Sequence, residues 1–417
     1  MRADYERLKG LISTHTDWRR RCINLIASEN VSSPTVHEAL GSDLGGRYGT
    51  FKGMECIRSY TSYGGTQYTA EICNFTTELA ARVFDARYVD IKPLSGNIAD
   101  VVTIQGLTAP GDGVVNTSPS DGGHTFYMDV PDSCPAFKRR WEHLVFDEEE
   151  ANVDIDKTVR LFERFKPELV ILGASHMLFP LPVKEIADAA LSVGAHISYD
   201  GSHILGLIAG NQFQNPLGEG AEIVHSSTHK TFGGPQGGIL FSNDEEVFEP
   251  VSSVVYPALQ DNPHFNRLLA MGLTLAEMDE FGEAYARQVT ANARALAEAL
   301  HEKGFHLLGE NKGFTRSHLC RVDFKPHVAS GAEGSEILEK SNIVVSLSAM
   351  PGDTPELRTG ARVGVAEMTR MGMKEGEMDE IAEFWKMALI DKEEPGKVAK
   401  KVSEFRAAFQ KVHYCFN

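Results

Sequence analysis

The stretch that decides the fold is Ile223-Val224-His225-Ser226-Ser227-Thr228-His229-Lys230-Thr231-Phe232-Gly233-Gly234-Pro235-Gln236-Gly237-Gly238. It opens on an apolar run typical of a buried strand. Hydroxyl-bearing residues and glycines follow, as in a loop at the end of that strand. A lysine in such a loop loses hydration, which lowers its pKa and frees its amine to attack a carbonyl. A lone loop lysine is ordinarily solvated, so a catalytic role for Lys230 needs support from elsewhere in the chain.

The rest of the central sequence alternates short apolar runs with longer amphipathic segments. Strands are predicted at seven of these runs, which are residues 88–91, 114–115, 144–146, 169–172, 196–199, 223–225 and 239–241. Between the strands, apolar residues recur at helical spacing, most clearly over 183–193. This β-α-β order predicts an α/β fold with a doubly wound, mostly parallel sheet flanked by helices.

The pattern changes near residue 275 and indicates a second, smaller domain. A long helix is predicted over 275–303, and Gly304 is a suitable residue to end it. Further strands are predicted over 319–324, 343–347 and 362–365, with helices between them. We therefore expect an N-terminal helical arm over 1–40, a large domain over 41–284 and a small C-terminal α+β domain over 285–417.

Composition and charge exclude several classes of protein. Among 417 residues, 41 are Lys or Arg and 58 are Asp or Glu, so the formal net charge is −17. This balance argues against a nucleic-acid partner, which needs clustered basic residues. No apolar run approaches the ~20 residues that span a bilayer, so no membrane partner is expected. The six cysteines form no C-x-x-C pair, so no metal site is predicted. The polar N-terminus has no signal-peptide pattern, and the expected location is cytoplasmic.

A carboxylate upstream in the sequence strengthens the case for a catalytic Lys230. Asp200 closes the predicted strand 196–199, and open α/β sheets bind their ligands at that end of the strands. In a pyridoxal phosphate site, an aspartate pairs with the protonated pyridine nitrogen and makes the ring an electron sink. Alone, Asp200 is equally well explained as a helix cap. Asp200 followed some 30 residues later by Lys230 at the end of another strand is more specific for this cofactor.

Two glycine-containing turns fit the same cofactor. Ser95-Gly96-Asn97 opens a predicted helix just after a strand, where backbone N–H groups can hold a phosphate. Gly122-Gly123-His124 places an imidazole on a turn, where it could stack on a planar ring. Each motif is weak by itself, since a histidine in a turn is ordinarily a surface residue.

Taken in order, these pieces resemble the serine hydroxymethyltransferase family of pyridoxal-phosphate enzymes. The resemblance runs from about residue 20 to the C-terminus. Its matches are Leu25-Ile26-Ala27-Ser28-Glu29-Asn30, Ser95-Gly96, Gly122-Gly123-His124, Asp200 with His203, Thr228-His229-Lys230-Thr231 and Arg362-Val363-Gly364. The segments 234–238 and 369–375 look most like the archaeal-type members. The resemblance implies the aspartate-aminotransferase-like fold (fold type I), with a seven-stranded sheet and a small C-terminal domain.

The family's functional residues carry over onto matching positions. Lys230 would link covalently to pyridoxal 5'-phosphate as the internal aldimine, and His229 precedes it as in the family. The other cofactor-binding residues would be Ser95, Gly96, Asn97 and Ser227 at the phosphate, Asp200 at the pyridine nitrogen, His124 on the ring, and Ser175 and His203 around the ring oxygen. The resemblance further implies that Arg362 binds the substrate carboxylate with Ser28 nearby. Tyr48 and Tyr63 would be supplied across a homodimer interface.

The chemistry implied by the resemblance is cleavage or formation of the Cα–Cβ bond of β-hydroxy amino acids through a glycine quinonoid. Its substrates would be an amino acid and an aldehyde or pterin. The first hypothesis is serine/glycine hydroxymethyl transfer to a tetrahydropterin of the folate or methanopterin type. The alternative is a folate-independent threonine-type transaldolase or aldolase that condenses an aldehyde with glycine. Decarboxylation, racemisation, transamination and a non-catalytic binding homologue remain as further alternatives.

Two segments depart from the family pattern. Family members carry an acid/base glutamate in a short segment between the two tyrosines that match Tyr48 and Tyr63. Counted from Tyr48, the glutamate's position holds Thr50; counted back from Tyr63, it falls on Glu55. A shifted Glu55 would keep hydroxymethyl transfer, whereas a lost glutamate would favour the alternative. The loop 255–261 also lacks the family's Pro-Gly-Gly turn, because Ala258 stands in it.

Overall fold

The structure is a computed structural model that describes residues 2–49, 51–52, 55–56, 63–124, 134–353 and 357–416. Two compact units make up the chain. One comprises Asn30–Arg287 with Tyr414–Asn417, and the other comprises Met1–Glu29 with Gln288–His413. The division into an arm (1–40), a large domain (41–284) and a small domain (285–417) stays a prediction.

A seven-stranded sheet forms the centre of the unit Asn30–Arg287. Its strands are β1 (Tyr88–Asp90), β2 (Gly113–Asn116), β3 (Arg140–His143), β4 (Leu169–Leu172), β5 (His196–Asp200), β6 (Ile223–Ser227) and β7 (Gly238–Ser242). Their order across the sheet is β1-β7-β6-β5-β4-β2-β3. Only β7 runs antiparallel to its neighbours, β6 and β1. The predicted α/β fold with a mostly parallel, seven-stranded sheet is therefore confirmed.

The buried strands show why apolar runs predicted them well. Every residue of β2, β4, β6 and β7 is buried, because helices cover both faces of the sheet. The run predicted over 144–146 is not a strand of the main sheet; its Phe146 belongs to a separate two-residue strand, Phe146–Asp147, which pairs with Asn152–Val153. The structure instead has β3, whose sequence Arg-Trp-Glu-His is polar. An edge strand pairs on one side and is half solvated, so it needs no continuous apolar run.

Seven helices in the described part of this unit precede, connect or follow the strands of the sheet. They are Pro34–Leu40, Gln67–Val83, Gly96–Leu107, Ile155–Phe165, Val183–Ser192, Leu205–Ala209 and Glu245–Ser253. A long helix, Phe265–Glu302, then continues into the second unit. It begins ten residues before the predicted start at Leu275. Leu268 and Met271, which precede Leu275, are buried and extend its apolar face.

One of these helices, Gly96–Leu107, is named here the cradle helix. It packs into a buried cluster through Ala99 and Val102, against Ile223 of β6, Leu240 of β7 and Phe248. The cluster packs the cradle helix along β6 from Ile223, and the close approach of Gly96 to Ser227 places the start of the helix at the carboxyl end of β6.

The second unit is built on a four-stranded antiparallel sheet. Its strands are β8 (His306–Leu307), β9 (Leu319–Asp323), β10 (Ser346–Ser348) and β11 (Gly360–Gly364), in the order β8-β9-β11-β10. A separate parallel ladder joins Ile23–Asn24 to Ile343–Val344. The helices are Arg2–Arg19, Gly331–Lys340, Ala366–Arg370, Glu375–Leu389 and Pro395–Arg406. Among the described helices, none is both long and apolar enough to cross a bilayer.

Gly106→Ala is expected to lower the free energy of unfolding by about 1–3 kcal/mol, the usual cost of overpacking. The new Cβ would lie 2.6 Å from the Cα of Val251 and 2.8 Å from its amide nitrogen, and these backbone atoms cannot rotate away. Thermal and urea unfolding measure the loss.

Gly282→Ala in the long helix is the matched control. Its Cβ would meet its neighbours at 3.6–3.7 Å, which is ordinary contact. Because alanine favours a helix over glycine, this variant should be as stable as the parent or slightly more so. Equal stability of the two variants would contradict the packing argument.

Candidate active site

The carboxyl ends of β5 and β6 bring Asp200 close to the lysine loop. Asp200 is the last residue of β5, and it lies beside His225 of β6 in the parallel register. The amide of Gly201 donates to the carbonyl of His225 at 2.9 Å. The Asp200 carboxylate accepts a hydrogen bond from the amide of Ser202 at 2.9 Å. This bond resembles a local cap, yet the register also places Asp200 at the edge where open sheets bind ligands.

Ser95, Gly96 and Ser227 form a tight corner at the start of the cradle helix. Ser95 caps the helix, its hydroxyl accepting from the amide of Ile98 at 3.1 Å. A Cβ on Gly96 would lie 2.8 Å from the Cβ of Ser227, so only glycine fits. The first N–H groups of a helix have no intrahelical partner, so this corner offers backbone donors and hydroxyls to an anion.

Asn97 lies in the same first turn. Its Oδ1 is buried and has no hydrogen-bond partner within the described parts of the chain. A buried polar side chain without a partner is costly and indicates a group that a ligand completes.

Residues without a predicted role hold the backbone of the lysine loop. The side-chain Nδ2 of Asn30 donates to the carbonyl of Lys230 at 2.9 Å and to the hydroxyl of Tyr285 at 2.9 Å. Tyr285 in turn donates to the carbonyl of Thr231 at 2.9 Å. The Thr231 hydroxyl donates to the carbonyl of His203 at 2.9 Å, which ties His203 to the loop. Asn30 belongs to a recognised motif, but no sequence signal indicated Tyr285.

His124 lies on the predicted turn, which is fixed on both sides. Gly122 has a φ of +92°, and its carbonyl accepts from the amide of Ser175 at 2.7 Å. This contact brings Ser175 to the same turn. A hydrogen bond with the Asp100 carboxylate raises the pKa of His124. The charge of Asp200 raises it as well, while that of Lys230 lowers it. The predicted Asp200, Lys230 and His124 are thus electrostatic neighbours.

His229 is a partly desolvated imidazole next to the lysine. Burial, aided by the positive charge of Lys230, lowers the pKa of His229 to about 4. Its Nδ1 is buried without a hydrogen-bond partner in the part of the chain that the structure describes. His229 is therefore neutral near pH 7.

The two predicted tyrosines lie together on the surface. The rings of Tyr48 and Tyr63 are 5.0 Å apart, and their side chains are 45% and 41% exposed. The hydroxyl of Tyr48 donates to Asp261 at 2.8 Å, and this bond raises the pKa of Tyr48. The two segments that depart from the family pattern therefore meet at one contact. Thr50 lies outside the described residues, as does the side chain of Glu55.

The predicted substrate-binding residues Arg362 and Ser28 belong to the second unit. Arg362 lies on β11, and burial lowers its pKa to about 10. Next to it, a Cβ on Gly364 would lie 2.4 Å from the Cα of Ala27, so the segment leading to Ser28 runs against β11. Ser28 and Arg362 thus lie in the same unit.

The residues of the unit Asn30–Arg287 fit pyridoxal phosphate. The capped corner at Ser95 suits a dianionic phosphate, and Asp200 suits a protonated ring nitrogen. Lys230 supplies an amine for the aldehyde. A phosphate at this corner would accept hydrogen bonds from N–H groups of the first helical turn and from the side-chain NH2 of Asn97.

Comparison with known proteins gives consistent results. A family model described as serine hydroxymethyltransferase matches residues 2–385. The serine hydroxymethyltransferase of Thermococcus kodakarensis is 42% identical over 421 residues, covering 99% of this chain and 96% of that protein. The one from Aeropyrum pernix is 43% identical over 408 residues, covering 97% and 91%. These archaeal relatives confirm the resemblance found in the sequence.

A solved structure supports the fold and adds a second activity for comparison. The L-threonine transaldolase of Pseudomonas fluorescens, crystallised in an internal aldimine state, superimposes with a TM-score of 0.90. It is 30% identical, and the match covers 99% of this chain and 93% of that one. The match covers both units of this chain. Each unit therefore has a counterpart in the transaldolase.

His229→Gln is expected to reduce the loss of stability on acidification. An unfolded histidine has a pKa of about 6.5, above the folded value of about 4. Between these values the unfolded chain binds more protons, so the stability contributed by neutral His229 is lost as the pH falls. The unfolding temperature of the variant relative to the parent should therefore rise from pH 7 towards pH 4, measured without added cofactor.

Exposed His306, changed to Gln, serves as the control. A His229→Gln protein whose unfolding temperature parallels the parent's at every pH would contradict the burial argument.

Proposed function

Since the chain belongs to the serine hydroxymethyltransferase family of pyridoxal-phosphate-dependent transferases, we propose that it transfers the hydroxymethyl group between serine and glycine with a tetrahydropterin as cosubstrate. The observation that carries this proposal is the approach of Asp200, His124, Lys230 and the capped corner at Ser95 within one unit. Full-length similarity to archaeal serine hydroxymethyltransferases supports the choice of reaction.

The roles of the residues follow from their chemistry. When bound, pyridoxal phosphate supplies an electron sink that makes the Cα of an attached amino acid acidic. Lys230 would hold it covalently, and Asp200 would keep its ring nitrogen protonated. The phosphate would be held by Ser95, Gly96, Asn97 and Ser227, and the ring by His124, Ser175 and His203.

Proton movement would involve the loop and the tyrosine pair. His229 is neutral near pH 7, so it can accept a proton but has none to donate from a charged ring. The Lys230 amine, once displaced by substrate, would take up or return a proton at Cα. The hydroxyl proton of the substrate requires another base, for which Tyr48 and Glu55 are the candidates.

Arg362 is proposed to bind the substrate carboxylate. A guanidinium offers two parallel N–H donors that match a carboxylate. Burial has already removed much of its hydration, as its lowered pKa indicates. Ser28 would contact the same end of the substrate.

A folate-independent transaldolase or aldolase activity is the second candidate. The observation that favours it is the contact between Tyr48 and Asp261, where the two segments that differ from the family pattern meet. The structural similarity to an L-threonine transaldolase supports this candidate as well.

A homodimer in the cytoplasm completes the proposal. The exposed tyrosine pair, Tyr48 and Tyr63, supports an interface at which each subunit serves the other's site. Aromatic residues of this kind are enriched at interfaces.

The two activities are separated by one set of assays. With L-serine, glycine release should be accelerated by tetrahydrofolate or tetrahydromethanopterin, because the pterin accepts the one-carbon unit. With L-threonine and no pterin, release of acetaldehyde should be slow. Quantifying glycine and acetaldehyde in both reactions gives the answer.

A rate of serine cleavage that neither pterin increases, together with fast acetaldehyde release, would refute hydroxymethyl transfer in favour of the second candidate.

Glu55→Gln tests the acid/base group in the same assay. If Glu55 is the acid/base group, the variant should lose pterin-dependent turnover by about 10²–10⁴-fold.

Mixing two inactive variants tests the shared site. Lys230→Ala should lack the long-wavelength absorbance of a lysine-bound cofactor, and Tyr48→Phe should keep the absorbance but lose turnover. If each tyrosine serves the neighbouring subunit, co-refolded mixtures contain hybrid dimers with one intact site and recover up to about a quarter of the parent activity.

The double variant Lys230→Ala/Tyr48→Phe mixed with Tyr48→Phe is the control, because both subunits then carry the same defect at Tyr48 and no intact site can form. No recovery in the Lys230→Ala mixture, from protein shown to be dimeric, would refute the exchange of tyrosines.

A further inference from the structure

A buried carboxylate outside the predicted site connects two imidazoles. Asp100 lies in the second turn of the cradle helix with its side chain 3% exposed. Its Oδ1 lies 2.6 Å from Nδ1 of His225, and its Oδ2 lies 3.0 Å from Nδ1 of His124. Neither Asp100 nor His225 has a role in the proposed function so far.

The second imidazole lies beside the residue proposed to hold the ring nitrogen. His225 is fully buried in β6 and pairs in register with Asp200 of β5. One side-chain atom each of Asp100, Asp200 and His225 lie within 4.8 Å of one another. The Nε2 of His225 has no hydrogen-bond partner in the residues that the structure describes.

We propose that Asp100 is a positioning residue that orients His124 over the cofactor ring and adds a second negative charge behind Asp200. This inference rests on the proposed cofactor site. Asp100 acts through the two imidazoles and touches no substrate.

The hydrogen bonds determine which ring nitrogens carry protons. An ionised carboxylate only accepts, so both Nδ1 atoms must donate to Asp100. That fixes the tautomer of each neutral imidazole and the plane of the His124 ring. The Nε2 atoms alone are left to gain or lose a proton.

The charges around the cluster act in the same direction. Burial alone would raise the pKa of Asp100, but the hydrogen bonds from His124 and His225 outweigh it and hold that pKa well below its usual range. Burial also opposes a charge on His225, yet Asp100, with help from Asp200, raises its pKa overall. The charged groups that face these imidazoles are Asp100, Asp200, Lys230 and each other. Asp100 is therefore ionised, and its charge favours protons throughout the cluster.

Asp100→Asn tests the charge with little change in shape. In full-length protein labelled with ¹⁵N-histidine, the parent should show His124 and His225 protonated at Nδ1, each titrating above the ordinary value. In the variant both titrations should move down by about one pH unit, a tenfold loss of proton affinity. With pyridoxal phosphate added, the protonated long-wavelength band should likewise give way at a lower pH.

Asp353→Asn is the matched control, because Asp353 is a buried carboxylate of the other unit that pairs with Lys325 and Thr359 instead of an imidazole. It should leave both titrations and the band unchanged. His124→Asn and the double variant with Asp100→Asn complete a thermodynamic cycle that remains informative if one single variant is unstable. Cofactor affinity in this cycle should be non-additive, because the two side chains act as a pair.

Unchanged histidine titrations in Asp100→Asn, or strict additivity in the cycle, would overturn the proposal. A failure of the proposed function is distinguishable: the parent protein would then show no cofactor band, while the histidine titrations would still report on Asp100.

Discussion

The site depends on the close approach of the cradle helix to the end of the sheet. Gly96 faces Ser227, and a Cβ on Gly238 would lie 2.4 Å from the carbonyl oxygen of Ser95. At the far end, Gly106 meets the backbone around Val251. Backbone thus packs on backbone at both ends of the helix. The N–H groups of its first turn and the carboxylate of its second turn consequently reach the same edge of the sheet.

The sequence predicted the interior of the sheet because strands buried on both faces must be apolar along their whole length. The prediction failed at β3, because a partly exposed edge strand does not need to be apolar along its length. Within the site, the motifs located Lys230, Asp200 and the Ser95 corner. Asp100 escaped notice because it is the one charged residue of helix Gly96–Leu107, and a lone aspartate carries no indication of which residues it will contact. Tyr285 is similar, since its contact to Thr231 spans 54 positions.

The net charge of −17 contrasts with the basic groups buried next to the site. Lys92 pairs with Asp90 at 2.8 Å with both side chains buried. Arg267 donates to the carbonyls of Ile91 and Lys92 at 2.8 and 3.0 Å, and burial lowers its pKa to about 10. The charge of Lys92 is therefore neutralised by Asp90, whereas Arg267 is a buried cation held by carbonyl oxygens, although the chain as a whole is acidic.

The support beneath Lys230 has a consequence for protein engineering. Asn30 and Tyr285 bind the carbonyl oxygens of residues 230 and 231, which every amino acid possesses, so this support does not depend on the side chain at 230. Position 230 can therefore accept other side chains without loss of these backbone contacts. A shortened lysine analogue, a non-natural amine or an alanine rescued by a soluble amine could be installed there while the loop keeps its backbone path. The proposed nucleophile is thus separable from the backbone that carries it.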